Sequence, residues 1–177
     1  MTIHTPGDGH VTRGPDSAGH TWLPFTDATQ LTTLQLALNI LRKNVRGNTQ
    51  CNQCFSALPG GRTFDSVFDD PTVFISLNTG PDRGVTDRVG GSDIAISATE
   101  FGPTRGRWSV AATLCHEMAH VNGAPTNTTQ AEDSLGCCGF GADRTPGLVG
   151  STDYSQDDDS QMALANNQDD SAQDANS

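Results

Sequence analysis

His116, Glu117 and His120 stand in the order His-Glu-Met-Ala-His. Residues four apart on a helix lie one above the other, so both imidazoles would share a face and reach the same divalent ion. Glu117, about 100° round such a helix from His116, would hydrogen-bond a water beside that ion and take its proton. A Zn2+ ion lowers the pKa of a bound water to about 7. The chemistry predicted is therefore attack of activated water on a carbonyl, with one catalytic Zn2+, His116 and His120 as ligands and Glu117 as general base. With five His and three Glu in 177 residues, this spacing is a rare coincidence. The plain alternative is two exposed histidines on a helix with no metal.

The trio needs a helix, and the sequence supplies one over 107–122. Val110, Leu114, Met118 and Val121 form one apolar stripe, Gly123 stands where a helix ends, and Pro125 prevents continuation. A second helix is predicted from Asp27 to Val45, where Asp27 is the N-cap, Leu31, Leu34, Leu38, Leu41 and Val45 recur every three or four residues, and Gly47 is the stop. Alternation predicts a strand over 72–77, with Val73, Ile75 and Leu77 on one face, and another over 93–97, with Ile94 and Ile96 on one face. The Gly-rich segment 78–92 between them is the expected rim of the cleft. Together these elements make a small α+β domain.

At His116–His120 the chain resembles the zincin metallopeptidases. The resemblance implies a zincin-like domain in which an edge strand, here Asp93 to Ser97, aligns a peptide beside the HExxH helix. A metzincin-like extension would continue with Gly123 and a His at 126, but residue 126 is Thr. No His follows His120, so a third downstream ligand must be a carboxylate or a cysteine. Thr128 to Cys138 resembles a degenerate form of the aspzincin motif of deuterolysin and lysine-specific metalloendopeptidase relatives. There a Thr precedes an Asp ligand and a Tyr-Gly pair follows. Counting back from Gly136 implies Glu132 as the ligand, with Leu135 in place of the Tyr; a shift of one residue implies Asp133. A competing reading makes Thr129-Gln130-Ala131-Glu132 a capping box at a helix start, which would present the carboxylate from a second helix in a gluzincin-like manner. Tyr154, the one Tyr of the chain, is a candidate phenol for stabilising a tetrahedral intermediate. Met162 makes a poor metzincin-style Met, since it lies in a polar tail. His4, His10 and His20 are read as exposed, with insertion into the metal site as an inhibitory segment the alternative.

The net charge of −11 excludes partners that need a basic patch, nucleic acid and anionic membrane among them. The charge is concentrated: residues 151–177 hold seven Asp and no Lys or Arg, leaving 14 acidic against 10 basic residues elsewhere. That composition cannot offset the entropy of ordering, and a disordered acidic tail is expected over 151–177. Residues 1–22, interrupted by Gly7, Gly9, Gly14 and Gly19, are read as a flexible arm, which leaves 23–150 as the folded domain. No charged leader with an apolar core opens the sequence, and no run is long enough to span a bilayer. A soluble monomer is expected, placed outside the cell or delivered by a non-classical route.

Cys115, inside the helix, reads as a small buried residue. Cys51, Cys54, Cys137 and Cys138 predict either two disulfides joining the 47–61 loop to the segment after the third ligand, a structural zinc, or free thiols. The expected activity is endopeptidase cleavage of a protein or peptide. Two rivals stay open: an effector or toxin-type protease with one narrow target, and a noncatalytic zinc-stabilised binding module.

Overall fold

In a computed structural model of the chain, which describes residues 1–12, 20–102 and 104–141, the Asp27 side chain accepts the Gln30 N–H at 2.8 Å. This N-cap starts helix α1 (Ala28–Ile40), which buries Leu34, Ala37 and Leu38 and runs on through a π-helical stretch, Leu41–Val45. Gly47, at φ +80°, turns the chain away, as only glycine does without strain. Two short helices follow, the first of them within the 47–61 stretch that was expected to be a loop. The Asn48 side chain caps α2 (Thr49–Ser56) by accepting the Cys51 N–H, and Thr63 caps α3 (Phe64–Phe68) by accepting the Ser66 N–H. Each is too short to show a period, although Cys51 and Phe55, four apart, are both fully buried. Phe55 meets Phe64 edge to face at 5.2 Å between ring centres.

The predicted strands are β3 (Phe74–Asn78) and β5 (Asp93–Ser97), paired in parallel with Ile75 beside Ile94 and Leu77 beside Ile96. Between them in sequence lies β4 (Gly84–Thr86), which pairs antiparallel with β5 and ends the sheet on that side. The expectation that 93–97 is the edge strand is thus corrected: β5 is interior, and β4, too short and Gly-rich to show alternation, is the edge. Residues read as a flexible arm also join the sheet. β1 (Thr2–Ile3) pairs in parallel with β3, and β2 (Trp22–Leu23) pairs antiparallel with it. The physical reason is that the outer edge of β3 would otherwise leave its N–H and C=O groups without partners. The anchoring residues, Trp22 and Phe25, are 5% and 1% exposed.

The sheet has two different faces. Ile75, Ile94 and Ile96 turn towards α1 and α4 (Gly106–Val121) and join Leu34, Val110, Leu114 and Met118 in the main core. The other face carries Ser76, Asn78, Ala95 and Ser97, all fully buried. A last helix, α5 (Gln130–Cys137), packs on α4. The structure pairs Cys51 with Cys138 and Cys54 with Cys137, so α5 is covalently joined to α2. Cys115 is buried in α4 and forms no disulfide. Among the described residues no helix is long and apolar enough to cross a membrane. The acidic tail, Tyr154 and Met162 lie outside the described residues.

Each bridge closes a loop of more than 80 residues, with sequence separations of 87 and 83. Loss of a native disulfide from a small domain costs about 2–5 kcal/mol. The double variant Cys51→Ser/Cys138→Ser is expected to lower the unfolding free energy by that amount in denaturant titrations.

Candidate active site

Helix α4 carries the trio, and its far end is held by Asn122. The Asn122 side chain donates to Phe55 O at 2.7 Å and Arg62 O at 2.8 Å, and its Oδ1 accepts the Arg62 N–H at 3.1 Å. Gly123, at φ +88°, then turns the chain sharply. This turn brings the Ala124 carbonyl 2.7 Å from His120 Nδ1. With Nδ1–H donating there, the Nε2 lone pair is left for a ligand.

The Nε2 atoms of His116 and His120 lie 3.2 Å apart. Two nitrogens bound tetrahedrally to one Zn2+ at 2.0–2.1 Å would stand about 3.3–3.4 Å apart. The spacing therefore suits two ligands of one ion. Behind His116, Glu132 Oε1 lies 3.1 Å from Nδ1. A carboxylate backing the second imidazole nitrogen is the usual outer-shell arrangement of metal-binding histidines. Asp133 is turned elsewhere: its Oδ2 accepts the Thr129 hydroxyl at 2.9 Å, and it lines a groove with Cys54, Leu58 and Cys137. Thr129 caps α5 with no side-chain hydrogen bond to the backbone, so the capping box is not formed. Of the two candidate acids, Glu132 is the one brought to the histidine pair, from the Nδ1 side. Among the described residues no three His, Cys, Asp or Glu side chains close around a common point.

Glu117 is 4% exposed and points at β4. The Thr86 hydroxyl donates to its Oε2 at 2.9 Å. Gly84 lies so near that a Cβ there would come within 2.7 Å of Glu117 Cγ and Oε1 and of Thr113 Cγ2. A cleft of about 180 Å³ opens over the trio, bounded by Gly84, Val85, Thr86, Arg88, Val89 and Thr126. The expected Gly-rich rim is therefore at the cleft. So is Thr126, the position at which a metzincin-like extension would carry histidine. The outer edge of β4 pairs with no strand among the described residues. Arg83 O and Asp87 N bond to β5, so by antiparallel alternation the main-chain groups of Gly84 and Thr86 face outward.

Sequence reasoning missed Glu100. It is fully buried, accepts the Ser109 hydroxyl at 2.6 Å, and lies 3.5 Å from Arg83 Nε and 3.8 Å from Arg105 Nε. Arg83 immediately precedes β4, so this ion pair ties the edge strand to the segment after β5, which Glu100 joins to α4 through Ser109. A Glu in a short segment after a strand gives no signal of burial. Reading His4 and His10 as exposed is also corrected. His4 is 7% exposed, His10 stacks on Phe74, and both belong to the sheet face away from α4. A strand too short to show alternation hid this.

No protein-family model matches the chain, and neither a curated protein nor a solved structure does.

Removal of the buried Glu100 carboxylate would leave the Ser109 hydroxyl without its acceptor, a loss of about 1–3 kcal/mol. Glu100→Ala should lower thermal and chemical stability accordingly, as measured by circular dichroism.

Proposed function

We propose that the chain is a zinc-dependent endopeptidase that hydrolyses peptide bonds in an unfolded or extended protein substrate, acting as a monomer. The observation that carries this reading is the paired Nε2 atoms of His116 and His120, 3.2 Å apart, beside a buried Glu117 and an edge of β4 that no described strand pairs. The resemblance to zincins, and within them to the aspzincin group, rests on the same residues and on the acid downstream. The two disulfides favour an oxidising, extracellular setting.

His116 and His120 would hold the zinc, with Glu132 as the associated carboxylate. The bound ion supplies the Lewis acidity that makes water nucleophilic at neutral pH and polarises the substrate carbonyl. An extended peptide would add to the edge of β4 through the outward groups of Gly84 and Thr86, which aligns its scissile bond along the cleft. Glu117 takes the proton from the attacking water as the C–O bond forms and gives a proton to the amine as the C–N bond breaks. Thr86, by donating to Oε2, orients that carboxylate.

A structural zinc needs no general base. Glu117→Gln should therefore retain full zinc content while cleavage of an unfolded protein falls by about 10²–10⁴. An unchanged rate would overturn the role of Glu117, and a wild type that binds zinc but cleaves no unfolded protein would be the noncatalytic module or the narrow-target protease instead. The two acids separate by metal affinity. Loss of an outer-shell partner costs about 10- to 100-fold, so Glu132→Ala should weaken zinc binding by at least that factor in competition with a chromogenic chelator. Asp133→Ala should leave it unchanged.

A further inference from the structure

Four potential metal donors that the proposed mechanism does not use meet on the sheet face away from α4. Ile3 pairs with Ile75, whose side chain joins the main core, so the next residue, His4, lies on the other face, with Phe74, Ser76 and Asp93. His4 Nδ1 is 3.1 Å from Ser76 Oγ, which leaves Nε2 directed elsewhere; it lies 3.8 Å from Asp8 Oδ1. Asp8 accepts the N–H groups of Thr5 and His10, each at 2.8 Å, and this turn folds His10 back over the sheet. The His10 ring stacks on Phe74 at 3.7 Å and meets the His4 ring edge-on at 5.0 Å. Its Nε2 lies 2.6 Å from Oδ1 of Asp93, whose side chain is 5% exposed.

The last contact is unusual. His10 Nε2 and Asp93 Oδ1 are both buried, and although they stand 2.6 Å apart neither makes a hydrogen bond. Buried polar atoms are ordinarily satisfied, so such an orphan pair calls for an explanation. Among the described residues no Lys or Arg pairs with Asp8 or Asp93, so the side chains paired with the two carboxylates are imidazoles.

We infer that His4, Asp8, His10 and Asp93 form a second divalent-cation site, of the mixed imidazole and carboxylate type that suits Zn2+. The four do not surround one point as they stand. An ion would part His10 from Asp93 and draw His4 and Asp8 inward, joining the 4–12 segment to the first residue of β5. The site shares no residue with the His116 and His120 pair, so it stands or falls independently of the proposed peptidase activity.

The test uses the full chain with His116→Ala and His120→Ala, which removes both candidate donors in α4. After chelator treatment and dialysis against Zn2+, this variant should retain about one zinc per chain by atomic emission, and zinc should raise its unfolding midpoint. Adding His10→Gln should abolish both effects with the circular dichroism spectrum unchanged. Asp8→Asn serves if His10→Gln fails to fold, since its amide oxygen can still accept one of the two turn N–H groups; zinc affinity should then fall at least tenfold. A double variant that binds no zinc, or zinc binding that survives His10→Gln or Asp8→Asn undiminished, overturns the inference.

Discussion

Helix α4 is buried everywhere except at Gly106, Trp108 and His116, and this burial constrains the rest of the molecule. Each polar side chain it carries must find a partner inside the protein, because a buried donor or acceptor left alone costs about 1–3 kcal/mol. Ser109 meets Glu100, Glu117 meets Thr86, and the Nδ1 of His120 meets Ala124 O. The partners come from three directions: the segment after β5, the edge strand β4, and the turn that follows the helix. Solvation of α4's polar stripe by protein groups thus decides where the neighbouring elements lie.

The same requirement explains the rigidity of the cleft. β4 has only three residues, and such a strand would hold poorly by its ladder alone. It is pinned at its start by Arg83 against Glu100 and at its end by Thr86 against Glu117, while the absent side chain of Gly84 lets it approach the helix. On the other side, α5 presents Glu132 to His116 only because α5 is seated on α4 and bridged to α2. A helix of eight residues has little stability of its own. The disulfides supply what a small, Gly-rich domain cannot obtain from apolar burial.

The long elements were legible because they carry a period. Leu34, Leu38 and Leu41 announced α1, and Val110, Leu114 and Met118 announced α4, each with its stop signal in Gly47 or Gly123. The two histidines on one face followed from helical geometry alone. The strands of two or three residues were not legible. β1 and β2, with two residues each, show no alternation, and β4 is Gly-Val-Thr within a run of turn residues. Their positions come from the need of β3 and β5 for pairing partners, which is a property of the assembled sheet.

By itself the sequence determined an α+β domain, its two principal helices, and a histidine pair with Glu117 beside it, because backbone periodicity places those side chains whatever surrounds them. Only the tertiary structure decided that β4 and not β5 borders the cleft, that Glu132 rather than Asp133 reaches His116, and that His4 and His10 are packed against the sheet. The reason is that each of these is a contact between segments far apart in the chain, selected by pairing, packing and the satisfaction of buried polar groups. No local pattern of residues encodes that choice.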